Sequence, residues 1–290
     1  MPGDFSRKTF DRKKHYSGVL MQQGRVQLDA DWNEELDIEQ YRIFTETKDV
    51  IGPAGVPKKN GGFKITLSAD GTDLIIAPGR IYVEGLLCEL EPGLTTYKNQ
   101  PYFPSPDLSD FILPGSPPLS PVSSPPSANQ LKDGNYLVYL KAWQREINYL
   151  DDPAIQEKAL GEADTTTRLQ TVWQVKLLKI EGNNSLTCKS TFNEWNQLTA
   201  PLTGLLNAQT KPPEDDKNPC VLPPKAGYLR LENQLYRIEV QTVDAAKKAT
   251  SFKWSRDNAS IETIIENVSG KTLTVSSIGK DDVLGFAGNQ

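Results

Sequence analysis

Histidine and cysteine are nearly absent from this chain. His15 is the only histidine among 290 residues. One imidazole cannot supply a catalytic histidine pair or a His-based metal site. The three cysteines, Cys88, Cys188 and Cys220, are odd in number and far apart. That spacing excludes a disulfide framework and a Cys-rich zinc site, so they read as buried free thiols. No nucleophile elbow, HExxH, P-loop or GxGxxG pattern occurs. No apolar run approaches the roughly 20 residues that a membrane-spanning helix needs. The opening MPGDFSRKTFDRKK is basic but lacks a following apolar core, so it is not a Sec signal peptide. Excess positive charge is also missing. Lys and Arg number 32 against 37 Asp and Glu, a net charge of -5. Phosphate neutralisation needs a basic surface, so a nucleic-acid partner is disfavoured. No cofactor is expected, and no direct membrane insertion.

What remains is an ordinary polar composition, 37% hydrophobic and 24% charged, long enough for one or two cores. Its first 25 residues form a basic arm. Arg7, Lys8, Arg12, Lys13, Lys14 and Arg25 stand against Asp4 and Asp11, with Phe5, Phe10, Tyr16, Val19 and Leu20 as apolar anchors. The pattern suits neither a helix nor a strand. It suits a segment that extends over another surface.

Residues 29–49 read as a helix. Leu28, Trp32, Leu36 and Ile43 form a stripe that Gln40 breaks. Asp31 and Glu34 have capping-box spacing. Asp29, Asp31, Glu34, Glu35, Asp37 and Glu39 crowd the first turns, where the helix dipole favours negative charge. Gly52-Pro53 should end the helix. Asp29-Ala-Asp31-Trp-Asn33 opens like a calcium-binding loop, but Glu34 and Gln40 stand where that loop needs Gly and Glu. No calcium site is expected.

The rest is mostly β-patterned. FKITLS, DLIIAPG and RIYVEGLLCEL, within residues 62–91, are split by Asp-Gly, Pro-Gly and Glu-Gly turns and predict one antiparallel sheet. Residues 135–147 and 168–180 alternate apolar with polar and predict two strands of one sheet. The connection DDPAIQEKALGEADTTT predicts a short helix and a turn, and residues 190–198 another helical piece. QLYRIEVQTV, ATSFKWSRD, SIETIIENV and KTLTVSSI predict four more strands. At least two of Trp143, Trp173 and Trp254 should share one β core. The Pro/Ser-rich stretch at 100–129 and the segment at 208–226 predict extended loop, because proline removes ladder donors and fixes φ. The expected fold is mainly β (α+β), with antiparallel sheets, one prominent N-terminal helix and a long Pro-rich loop. The expected division is 1–55 arm and helix, 56–99 small β subdomain, 100–130 loop and 131–290 β-rich domain. The closing KDDVLGFAGNQ reads as a turn leading into another strand, so the chain is expected to continue.

Several segments together resemble an uncharacterised bacterial domain family. They are GDFSRKTFDRKKHYSGVLMQQGRVQLDADWNEELDI, YLVYLKAWQREI, DDPAIQEKALGEADTTTRLQTVWQVKLL, GYLRLENQLYRIEV and ATSFKWSRDNASI, with QQGRVQLDADWNE the most specific. The resemblance covers nearly all of the chain except the Pro/Ser insert. It implies a setting in phage-tail-like contractile injection systems, as a baseplate-associated or cage-like structural component. IIAPGRIYVEG is also similar to tail-fibre and baseplate segments. The implied partners are copies of the chain and other baseplate, spike or sheath proteins. The implied location is the bacterial cytoplasm as part of an assembled particle, with membrane anchoring or release by lysis left open.

On this reading the chain is not an enzyme. Assembly would be carried by Arg7, Lys8, Phe10, Arg12, Lys13 and Tyr16 of the arm and by Arg25, Asp29, Asp31, Trp32 and Glu34 at the helix start. Arg25 and the neighbouring acids would form either an internal or intersubunit ion-pair network or a solvated helix face. Two other readings stand beside it. One is a carbohydrate-binding attachment module, which would show exposed coplanar aromatics on a sheet face. The other is a glycan hydrolase built on the acids at Asp151, Asp152, Glu157, Glu162 and Asp164, which otherwise read as an exposed acidic loop.

Overall fold

A computed structural model of the chain describes residues 3–102, 134–180, 186–187, 190–201, 235–244, 249–279 and 285–286. The fold is mainly β, with antiparallel pairing and one long helix, as expected. The Pro/Ser stretch beyond Tyr102, the 208–226 segment, Cys188, Cys220 and most of KDDVLGFAGNQ lie outside the described residues.

Helix α1 runs Asp29–Ile51. Its N-cap is Leu28, and no side chain caps it. The capping box expected of Asp31 and Glu34 therefore does not form. The helix starts two residues before Asp31, which therefore sits inside the first turn and not at the cap, and Glu34 accepts a hydrogen bond from the Thr9 hydroxyl. Gly52 closes the helix with φ of 91° and donates its N–H to the Lys48 carbonyl, a positive φ that glycine takes without strain.

The 62–91 region forms strands where the β-branched runs predict them, but in two sheets rather than one. Strands β1 (Ala54–Gly55), β4 (Gly79–Val83) and β5 (Leu86–Leu90) are ordered β1-β4-β5. Strands β2 (Ile65–Leu67), β3 (Leu74–Ile76) and β6 (Thr95–Thr96) are ordered β2-β3-β6. The chain changes sheets at Ala77-Pro78-Gly79. A Cβ on Gly62 would lie 2.5 Å from the Gly79 carbonyl carbon, so the two backbones approach as closely as glycine allows.

The two long strands fall where alternation places them, β7 at Asn135–Ile147 and β8 at Arg168–Ile180, and they pair with each other. Between them two 3-10 turns, Pro153–Ile155 and Lys158–Leu160, replace the expected short helix. Helix α2 is Asn193–Leu198. Two separate hairpins follow. One pairs β9 (Arg237–Asp244) with β10 (Ala249–Ser255), and the other pairs β11 (Ile265–Ser269) with β12 (Thr272–Val275).

The core is small. Ile76, Cys88, Tyr97, Trp173 and Val175 are buried together, ringed by Phe63, Ile81, Leu90 and Leu140 among others. It joins both small sheets to the middle of β7 and β8. Trp173 presents its ring to the edge of Phe63 at 4.8 Å and donates its indole N–H to the Glu89 carbonyl at 2.9 Å. Of the three strand tryptophans, Trp173 alone joins this core. Trp143 packs partly exposed against Tyr102, and Trp254 is 63% exposed. Strand periodicity places a side chain on a face but does not say which face is covered.

The chain divides into two compact units. One comprises Met1–Asp133, Val138–Leu177 and Asn233–Gln290, and the other Gly134–Leu137 and Leu178–Glu232. Among the described residues, no helix is long and apolar enough to cross a membrane.

Candidate assembly surface

The arm does not stand free. It lies along α1 of its own chain. The Ser6 N–H and hydroxyl donate to the Asp29 carboxylate at 3.0 and 2.8 Å. The Thr9 hydroxyl donates to Glu34 at 2.5 Å. Phe10 packs its ring against Tyr41, with centroids 5.7 Å apart. The arm then turns. Asp11 caps a 3-10 turn at Arg12–Lys14, and His15 takes the left-handed conformation at φ 56°. Coming back, Val19 donates its N–H to Glu35. At its outer end Gly3 exchanges hydrogen bonds with Asn258, N–H to carbonyl at 3.3 Å and amide to carbonyl at 3.1 Å.

These bonds fix the electrostatics. The Ser6 amide, more than any other group, holds the Asp29 carboxyl below its ordinary value. Hydroxyls and backbone amides, not cations, serve the helix carboxylates. Among the described residues no ion pair involves Arg7, Lys8, Arg12, Lys13 or Arg25. The expected internal ion-pair network is therefore not formed among them. Arg7 and Lys8 are exposed and line a cleft of about 210 Å³ between the arm, α1 and the strand ends. Glu146 lines the same cleft, and burial pushes its carboxyl up. Arg12, Lys13 and Tyr16 line an open groove of about 920 Å³ facing Glu39, Tyr41 and Glu46 of α1. Lys14 sits 5.7 Å from the Tyr16 ring centroid.

The sequence stripe of α1 has an unexpected position. Ala30, Glu34, Ile38 and Tyr41 share one side, and the arm lies there. At roughly 100° per residue, Trp32, Leu36, Ile43 and Val50 fall on the opposite side. These four residues are 56%, 42%, 57% and 79% exposed, with Leu36 also at the edge of the cleft shared with Thr9 and Glu146 and Val50 at the edge of the groove shared with Phe10. In all of α1 only Ala30 and Ile38 are buried. Val50, seven residues past Ile43, continues the stripe and was legible by spacing alone.

Between arm and helix, residues 20–28 are all exposed. Leu20 is 91% exposed and Val26 83%. A turn closes this segment, with the Arg25 N–H on the Gln22 carbonyl at 3.3 Å and Gly24 at φ 72°. Arg25 thus stands at a turn in solvent. Asp31 is half-buried on the helix.

A second exposed face lies on the β9–β10 hairpin. The register pairs Trp254 with Ile238 and Phe252 with Val240, so these share one face with Tyr236. All five are 42–63% exposed. The Tyr236 and Trp254 rings are stacked, centroids 6.5 Å apart at 29°.

The acidic connection is used for turns. Asp152 and Glu157 accept from the Ala154 and Ala159 amides, and Asp151 pairs with Arg145 at 2.6 Å. Among the described residues no group of three or more His, Cys, Asp or Glu could hold a metal ion.

No curated protein and no solved structure matches the chain. The DUF6519 family of unknown function matches residues 1–199 and 181–289, and the chain belongs to that family.

Proposed function

We propose that this chain is a structural subunit of the baseplate region of a phage-tail-like contractile injection system, serving as a baseplate extension, a cage or a fibre attachment. It acts by protein–protein assembly with its own copies and with baseplate neighbours. The resemblance of its segments to a family that occurs with such systems motivates the setting. The observation that carries the assembly role is the exposed stripe Trp32, Leu36, Ile43 and Val50 on a helix with two buried residues. A helix of this length draws its stability from tertiary packing rather than propensity. Covering a large apolar side chain contributes roughly 1.5–3 kcal/mol when it passes from exposed to buried. The stripe therefore drives association once a partner surface is present.

The test is the double variant Leu36→Glu/Ile43→Glu. Neither side chain is buried, so the circular dichroism spectrum should stay that of the parent. By sedimentation the parent should form concentration-dependent oligomers and the variant should stay monomeric. A parent chain that remains monomeric at high concentration, both alone and with baseplate neighbours, would remove this reading.

The stacked, exposed Tyr236 and Trp254 favour a second reading, a glycan-attachment module, because sugars stack on such rings. Glycan-array binding that disappears in Trp254→Ala would establish it.

A further inference from the structure

We propose that the arm is an exchangeable clasp: on assembly, the arm of one copy leaves its own α1 and makes the same contacts on the α1 of a neighbouring copy. This rests on the assembly reading and names the partner surface. Three features of the chain carry it.

First, every arm contact is one that a second copy can supply unchanged. Ser6 on Asp29, Thr9 on Glu34, Phe10 on Tyr41, Val19 on Glu35 and Gly3 on Asn258 join the arm to groups of the body that every copy presents. Exchange breaks and remakes the same bonds, so it is nearly neutral in contact energy.

Second, the arm is held apart from the core. Its cationic residues are exposed, Phe10 is half-buried, and the contacts are mostly hydrogen bonds to carboxylates at the surface. A hydrogen bond to a charged group contributes roughly 1.5–3 kcal/mol, and each is remade in full on the neighbouring helix. The arm can open without dismantling the core at Ile76, Cys88 and Trp173, none of which it touches.

Third, the connection behaves as a hinge loop. Residues 20–28 are exposed throughout and hold one turn bond, Arg25 to Gln22. Opening that turn exposes nothing new. Nine residues extended reach about 30 Å, enough to span from one helix to another beside it. Short hinge loops of this kind are the usual site of segment exchange between copies.

The same arithmetic says when exchange occurs. A lone chain closes its arm in cis, because the effective concentration of its own helix is in the millimolar range. Copies brought together by the α1 stripe see each other's helices at similar effective concentration. Leu20 and Val26, bare in the closed form, then gain a surface to cover. That added burial tips an otherwise balanced exchange toward the clasped assembly.

The experiment uses the full chain with Cys188 and Cys220 replaced by Ser. Cys88 stays, since it is buried and its thiol is pushed up to about 11. Cysteines are placed as Ser6→Cys with Asp29→Cys, and separately as Arg7→Cys with Asn33→Cys, which line one cleft. A short bis-maleimide is added before and after assembly, and the products are resolved on denaturing gels. Before assembly the link should close within one chain. After assembly it should join chains into dimers and higher multiples. Mixing an arm-only with a helix-only single-cysteine variant should give linked dimers, and linking the double variant in the monomer should weaken assembly to what the α1 stripe alone supports. Assembled material whose links stay within single chains overturns the exchange and leaves the assembly role standing. A chain that never associates overturns both.

Discussion

Gln100 does with one side chain what a neighbouring strand would do with its backbone. It is 3% exposed. Its carbonyl oxygen accepts the Val175 N–H at 2.7 Å, and its amide donates to the Val175 carbonyl at 2.9 Å and to the Tyr97 carbonyl at 2.8 Å. The buried middle of β8 is thereby satisfied without another strand beside it. Gln100→Leu keeps the bulk and strands one N–H and two carbonyls in the core. Each unsatisfied group costs roughly 1–3 kcal/mol, so urea unfolding should show a loss of about 3 kcal/mol. Gln100→Glu places a carboxylate against the same two carbonyls. Its loss should be larger at pH 7 and should shrink as the carboxyl protonates. Cys88 makes a second prediction at this scale. Burial raises its thiol from 9.0 to about 11. The folded state then keeps its proton where the unfolded state has lost it. The stability this contributes is complete below pH 9 and is lost as pH rises toward 11, at up to about 1.4 kcal/mol per pH unit. Cys88→Val should flatten that part of the stability–pH curve relative to the parent.

Among the elements, α1 is held from two sides by different chemistry, and each hold can be broken separately. The arm side depends on charge. Asp29 has its carboxyl lowered mainly by the Ser6 amide, so its contribution is present above pH 3.8 and is lost as pH falls through the folded value. Hydrogen exchange at Ser6 should therefore accelerate in acid before the core amides of β8 do. The other side depends on shape. Gly85, at the turn between β4 and β5, has φ 91°, and a Cβ there would lie 2.8 Å from the Phe44 Cα and carbonyl oxygen. Gly85→Ala should lift α1 from the hairpin and cost about 1–3 kcal/mol through strain and lost contact, with the core strands still protected. The elements themselves were legible in the sequence. Alternation found β7 and β8 residue for residue, and the run from Asp29 to Gly52 found α1. What was not legible was which face is covered. Leu28, Trp32, Leu36 and Ile43 have the spacing of a buried stripe, and they point to water. The arm chose the other face through Ser6, Thr9 and Tyr41, residues whose short polar or aromatic side chains carry no periodic signal. The split of 62–91 into two sheets was hidden for a similar reason. It depends on Gly62 meeting Gly79 in space, and local turn chemistry at Pro78-Gly79 is the same in either case.

For the whole molecule, the balance of covered and bare apolar surface makes a claim about concentration. A stable monomer rarely leaves large contiguous apolar patches in water. Here, among the described residues, the α1 stripe, the 20–28 segment and the β9–β10 face are exposed, while five buried residues form the core cluster. A surface laid out this way is completed by mass action: a neighbour that binds the folded chain and not the unfolded one stabilises it in proportion to its free concentration. The melting temperature of the isolated chain should therefore rise with protein concentration. For a self-associating fold, a hundredfold increase adds up to about 2.7 kcal/mol, and a chain of this size responds to 1 kcal/mol with roughly 2–4 °C. A shift of several degrees across that range is expected by scanning calorimetry, and Leu36→Glu/Ile43→Glu should remove it. The variant's melting temperature should be independent of concentration, and that of Ile43→Glu alone should match the parent at its most dilute, since Leu36 also lines the cleft with Thr9 and Glu146. A parent whose melting temperature does not move with concentration would mean that these faces are left to solvent or await a different molecule. The glycan reading of Tyr236 and Trp254 would then be the one to pursue.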